Sequence, residues 1–195
     1  MPKIVDHDER RREFARVAMQ VALEKGVDAL TVRSVARAAH CSVGALTHYF
    51  TTKDDLLVAI QRIAGEASLA RIERCFETQA GRALLEGVIL SVLPLDDERR
   101  GEWRLWLAYF ARAAEEPTVA RLQAENYRAW RAQLRRAWAL ACEPGRPSRS
   151  EIEAGTDAAM ALVQGIGVLG TYEPARVGVQ RQRRLVRAHL DRWLP

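Results

Sequence analysis

Between Thr31 and Lys53 the chain reads TVRSVARAAHCSVGALTHYFTTK. Its hydroxyls, imidazole, phenol and closing ammonium suit hydrogen bonding to phosphate oxygens and base edges rather than bond-making chemistry. Thr47 could set its methyl against a thymine methyl or bond a phosphate. His48 can donate a hydrogen bond even when neutral. Ser42 and Ala45 are short enough for close approach, and Tyr49 combines a packing ring with a hydroxyl. Val43 is ambiguous between a base contact and the rim. Val43, Gly44 and Ala45 offer too little apolar surface to anchor a helix by burial. Such a helix makes sense if one face must come very close to something else.

That helix has to be held. Thr31 can cap a preceding helix whose Val32, Val35, Ala36 and Ala39 share one face. His40 and Cys41 make the break. If φ is positive at His40, histidine is among the more acceptable non-glycine types there. Ser42 can cap the short second helix. Thr52 with Asp55 resembles a capping box and places Lys53 in the first turn of a third helix, beside that helix's positive end. Upstream, Asp8 to Lys25 predicts a longer helix with Asp8 and Glu9 at its start, Gly26 as its stop, and an apolar stripe of Phe14, Val17, Ala18, Val21 and Ala22. A short helix held in a tight turn by its neighbour is the design of a DNA-reading helix-turn-helix.

Gly26, Thr31, Val32, Val35, Ala36, Ala39, Ser42, Gly44, Leu46, His48, Tyr49, Phe50, Lys53, Leu56 and Leu57 resemble, in order and spacing, the DNA-binding domain of the TetR family of bacterial transcriptional regulators. The resemblance implies a helix-turn-helix domain over residues 1–50 and an effector-binding and dimerisation domain over residues 51–195. It implies a repressor released from double-stranded DNA by a small-molecule effector, acting as a homodimer on a near-palindromic operator. DNA contacts are expected from Thr31, Arg33, Ser42, Val43, Ala45, Thr47, His48, Tyr49 and Lys53. In the family the lysine meets a phosphate and the start of the supporting helix grips backbone. Three positions depart from the pattern. His40 replaces the usual turn glycine, Val43 a frequent Lys or Arg, and Thr47 a frequent Tyr. The last two remove contacts, so the operator cannot be borrowed from a relative. Arg10, Arg11 and Arg12 spread over three sides of their helix beside Glu9 and Glu13, so a solvated face is the first reading.

The rest reads as helices too, giving an all-α fold of about nine. A fourth runs to about Phe76, then Gly81–Leu93, Glu98–Glu115, Thr118–Cys142 stopped by Glu143-Pro144-Gly145, a helix capped by Ser150 with Glu153 and running to about Gly170, and Gly178–Leu194. The segments Trp103–Phe110 and Asn126–Arg131 resemble, more loosely, the choline-responsive BetI branch of the family. Trp103, Trp106, Phe110, Tyr127 and Trp130 could wall an effector pocket, in which rings attract apolar or cationic ligands. At helical spacing they could equally fill a core. Residues 158–170 are apolar nearly all round their helix and should be buried on two sides. Leu162, Gly165, Ile166, Leu169, Leu185, Leu190 and Trp193 are therefore expected at a dimer interface, with Gly165, Gly167 and Gly170 admitting a partner helix.

Composition agrees. The 195 residues carry a net charge of +5, and residues 1–53 hold nine basic against six acidic side chains. Such a bias permits an acidic partner. Cys41, Cys75 and Cys142 are too scattered for a disulfide framework or a metal site, and predict reduced thiols in a cytoplasmic protein. The longest apolar run is too short to span a bilayer, and no membrane partner is expected. No phosphate loop, metal cluster or nucleophile–base spacing points to an enzyme, a metal or a cofactor. Two alternatives stay open: a thiol-responsive regulator using Cys41, and a helical interaction module that does not bind DNA.

Overall fold

Two separate clusters of buried apolar side chains organise the chain, and two helices contribute to both. The computed structural model describes residues 6–142 and 147–194. Among the described residues are nine α-helices and no strand. They are α1 (His7–Lys25), α2 (Val32–Ala38), α3 (Val43–Thr47), α4 (Lys53–Thr78), α5 (Gly81–Ser91), α6 (Asp97–Glu115), α7 (Pro117–Ala141), α8 (Arg149–Tyr172) and α9 (Val179–Trp193). The expected stop at Glu143-Pro144-Gly145 lies outside the described residues.

The smaller cluster joins Phe14, Ala18 and Val21 of α1 to Val35 of α2, Leu46 of α3, and Phe50. Leu56, Leu57 and Ile60 of α4 complete it, with Leu105 of α6. The core around α1, α2 and α3 therefore continues past residue 50 into α4 and α6. The larger cluster joins Ile72 and Cys75 of α4 to Leu85 and Ile89 of α5, Trp103 of α6, Leu134 and Trp138 of α7, Val163 and Ile166 of α8, and Val186 and Leu190 of α9. Among the described residues one carboxylate, Glu102 of α6, is strongly buried, and it accepts from both terminal nitrogens of Arg71 at 3.0 and 2.6 Å. The Nε of Arg71 also donates to the Ser91 carbonyl at 3.1 Å, so a single guanidinium ties α4, α5 and α6. Such a pair resists loss of either partner, because the survivor would be buried uncompensated.

Three expectations need correcting. Helix α8 is capped by Ser148, with Glu151 returning the bond to the Ser148 amide at 2.8 Å. The sequence SRSEIE contains the same spacing twice, and the earlier copy is used, which frees Glu153 to pair with Arg135 of α7. The helix is also longer than its apolar run. By length and composition alone α8 could cross a bilayer, but it lies along the larger core. Finally, its glycines serve the protomer itself. The Trp103 ring occupies the space a Cβ on Gly167 would need, with its indole nitrogen donating to the Val92 carbonyl at 2.7 Å. Gly170 similarly faces Pro94 and Gln182. Of the three glycines expected to face a partner, only Gly165 is exposed, with open space where its Cβ would lie.

Gly167→Ala is accordingly expected to lower the unfolding free energy by about 1–3 kcal/mol through overpacking. Gly65→Ala, in α4 where a Cβ meets nothing within 4 Å, should leave it unchanged or raise it by up to about 1 kcal/mol. Urea titration of the two variants against the parent chain checks the contrast.

Candidate nucleic-acid interface

The exposed face of α3 is set by how α2 ends. Thr31 accepts from the Ser34 amide and Ser34 accepts from the Thr31 amide, closing a capping box at the start of α2. At the other end the Cys41 amide bonds the Ala36 carbonyl at 3.0 Å and the His40 amide bonds the Arg37 carbonyl at 3.2 Å. These are the two bonds of a Schellman turn, and His40 takes its left-handed position with φ of 52°. The turn that usually needs glycine is thus made by histidine, at a backbone cost of order 1 kcal/mol. Ser42 then caps α3 through the Ala45 amide at 3.1 Å.

On α3, Leu46 alone is fully buried. Ser42, Val43, Thr47 and His48 are exposed and Ala45 is half-buried, so five of the expected contact positions share one accessible patch. The Thr47 hydroxyl donates to the Gly44 carbonyl at 2.8 Å. It therefore presents a methyl and an acceptor lone pair outward. Tyr49 is half-buried, edge-on to Phe14 with centroids 5.2 Å apart. Thr31 and Arg33 are exposed at the start of α2.

Lys53 is the first residue of α4, behind a full capping box of Thr52 and Asp55. Burial pushes the Asp55 carboxyl up, but hydrogen bonds from Thr51 and Thr52 outweigh it and hold the group below the usual carboxylate range. Asp54, next to it, is also held low, first by the hydrogen bond from Arg112 and then by that guanidinium's charge. Arg112 of α6 grips Asp54 with two nitrogens at 2.8 and 2.7 Å. This fork joins the first turn of α4 to the C-terminal half of α6, over an open cleft of about 680 Å³. The Lys53 ammonium lies in the same cleft, 3.8 Å from the exposed Asp28.

The aromatic candidates divide. Trp103 is 5% exposed and belongs to the larger core. Trp130 is half-buried against that same core. Trp106, Phe110 and Tyr127 instead form a chain of rings, with Tyr109 at its end and centroids 6.2–6.4 Å apart. Burial raises the pKa of both tyrosines. Next to Trp106 and Tyr109 lies a cavity of about 10 Å³, lined also by Leu57, Ile60, Gln61, Ala64 and Leu105. The interface candidates divide as well. Ile166 and Leu190 are buried within the protomer, while Leu162, Leu185 and Trp193 are half-buried and Gly165 and Leu169 are exposed.

Comparison with known proteins bears on this geometry. Residues 15–60 match the model for bacterial regulatory proteins of the tetR family. Residues 81–195, more than half of the chain, match the C-terminal model of BetI-type transcriptional repressors. The chain belongs to the TetR family. It is a DNA-binding transcriptional regulator with a BetI-type C-terminal region. It is 29% identical to the HTH-type transcriptional regulator PksA of Bacillus subtilis, covering 98% of this chain and 93% of the relative. It is also 29% identical to the regulator BetI of Burkholderia thailandensis, covering 98% and 96%. A transcriptional regulator from Rhodococcus superposes with a TM-score of 0.82 at 25% identity, over 94% of this chain and 95% of that one. A regulator of Saccharomonospora viridis solved with choline gives a TM-score of 0.81 at 20% identity, over 95% and 97%, and attests the fold.

Within this TetR-family chain, sequence reasoning passed over the brace behind α3. Arg11, read as one of a solvated trio, donates to the Tyr49 carbonyl at 2.6 Å and stacks over the Phe50 ring at 4.5 Å. It fixes the end of α3 to α1. The signal was present in its phase: Arg11 precedes Phe14 and Ala15 by one turn on the buried side of α1. Arg10 pairs with Glu13, and Arg12 is exposed. Arg11→Ala is expected to destabilise the chain by about 1–2 kcal/mol through a lost charged hydrogen bond and ring contact. Arg12→Ala should change stability by less than about 0.5 kcal/mol. Thermal unfolding of both variants checks the difference.

Proposed function

We propose that this regulator is a homodimeric, cytoplasmic repressor that binds a near-palindromic operator and releases it when a small molecule enters the body. It carries out no reaction on that molecule. The observation that carries the reading is the patch on α3: exposed small side chains on a helix capped by Ser42, braced by Arg11, and followed at once by Lys53 on the N-terminus of α4. In this reading Ser42, Val43, Ala45, Thr47 and His48 face base edges and nearby phosphates. Thr31, Arg33, Tyr49 and Lys53 hold phosphate oxygens. Asp28 competes for the Lys53 ammonium in the free protein.

Two features of α8 support the dimer. Only 33% of its most apolar window is buried in the protomer. Its uncovered side carries Leu169 and Tyr172, 44% and 70% exposed, with Gly165 one turn away. Two reading helices related by a two-fold axis would lie about 34–36 Å apart to meet successive major grooves. The ring chain of Trp106, Phe110 and Tyr127 lies between α4 and α7, so a molecule entering there bears on α4. The Arg112–Asp54 fork carries a shift of α6 to the same helix.

Selection of bound duplexes from a random pool should return a palindrome with half-sites one helical turn apart. No enrichment over competitor DNA would sink the reading. Lys53→Ala should weaken binding nearly equally on all sequences and lower the slope of log K against log salt by about one unit per half-site. Leu169→Arg should convert the dimer to monomer by light scattering and abolish cooperative binding to the full palindrome.

A further inference from the structure

Two buried amide side chains stand unpaired beside the ring chain. Gln61 on α4 is 6% exposed and lines the small cavity with Trp106 and Tyr109, yet its Nε2 has no hydrogen-bond partner. Gln123 on α7 is 8% exposed and lies beside the Tyr127 hydroxyl, and its Oε1 has no hydrogen-bond partner. A core position gains nothing from a glutamine left in this state, because burying an unpaired amide costs what a methionine of similar shape would not. The Tyr109 hydroxyl is turned to the Val119 carbonyl at 3.3 Å. Such amides fit a site whose partner arrives from outside.

The surrounding charges narrow what that partner is. Glu102, on the same side of α6 one turn below Trp106, is held by two nitrogens of Arg71 at 3.0 and 2.6 Å. At the Tyr109 hydroxyl the field of Arg62 on α4 outweighs that of Glu125 on α7. Of the described carboxylates near the rings, Glu102 is held by Arg71 and Glu125 faces Arg128 at 4.0 Å, so the larger net field at the rings is positive. A quaternary ammonium entering here would lose its water for ring faces alone. A neutral molecule would lose little and would answer both amides.

Building on the effector reading above, we infer that the cavity between α4 and α6, opened along the ring chain towards α7, takes an uncharged ligand. Its flat apolar body packs against Trp106 and Phe110, and one amide-like group both accepts from Gln61 and donates to Gln123. The cavity of about 10 Å³ holds about one water. The ligand therefore enters by parting α4 from α6, which ties its binding to the helix that carries the DNA-reading unit.

A matched pair of probes tests this: N-phenylacetamide, neutral with one donor and one acceptor, and phenyltrimethylammonium, cationic with neither. Tryptophan fluorescence and Tm are read on the full-length protein, and binding to the selected operator is scored on the same samples. N-phenylacetamide is expected to bind at least tenfold more tightly and to release operator. Gln61→Met and Gln123→Met should each weaken it about tenfold, leave phenyltrimethylammonium unchanged, and keep or raise the ligand-free Tm. The inference falls if the cation binds as tightly as the amide, if neither methionine variant weakens the amide, or if neither probe binds at millimolar concentration. Operator binding that stays intact in those cases confines the failure to the ligand class. A ligand-free protein that ignores the operator overturns the regulator reading itself.

Discussion

The structure depends on one helix being a member of two cores. Leu56, Leu57 and Ile60 at the start of α4 are buried against α1 and α6, while Ile72 and Cys75 near its end are buried against α5 and its neighbours. A helix of 26 residues spans about 39 Å at 1.5 Å per residue. It has no proline and its only glycine, Gly65, is helical. Nothing in its sequence offers a hinge, so a displacement anywhere along it reaches Lys53 at its tip. The capping box and the Arg112 fork keep that tip ordered where a helix would otherwise fray.

Charge is distributed to the same end. Across the body, several arginines are committed to the protein's own carboxylates: Arg131 to Asp157, Arg135 to Glu153, Arg136 to Glu73, Arg187 to Glu86 and Arg82 to Asp191. Pairs of this exposed kind each add at most about 1 kcal/mol, so their larger effect is to cancel the field over the body. Arg33 and Arg37 on α2 make no ion pair among the described residues. Arg62, Arg104, Arg121, Arg181, Arg183 and Arg184 on the body likewise make none, so Arg33 and Arg37 are the part of that unpaired charge that lies beside α3. Net charge alone, a modest +5, does not disclose this placement.

What was legible in the sequence was local. Thr31 and Thr52 could be read as caps because a cap is decided within four residues, and His40 could be flagged because a turn between two short helices asks for a positive φ. Nine helices follow from punctuation of the same kind. The duplicated cap of α8 shows the limit, since Ser148 and Ser150 satisfy the same rule and only the packing of Glu153 on Arg135 separates them. Facing is less legible still. Gly165 and Gly167 are two residues apart on one apolar helix, yet Trp103, 64 positions before Gly167, claims one and leaves the other open. Trp103 and Trp106 likewise share a helix and part company, the first to the core and the second to the ring chain. Gln61 and Gln123 carry no mark of their own, because being buried without a partner is a property of three helices at once.

The closeness of the cavity decides how strongly a ligand could act. An effector shifts a two-state equilibrium only by the difference between its affinities for the two states. With room for about one water, the conformation described here holds no organic molecule at that place, so its affinity for one is effectively nil. The ligand's whole binding free energy then favours the opened state, less the cost of parting α4 from α6. That cost includes Leu105 and Leu57, which pack in one cluster across the two helices, and the Arg112–Asp54 fork. Stiffness in α4 and tightness beneath it thus serve the same end: the small domain is held firmly until something large enough to separate two helices is present.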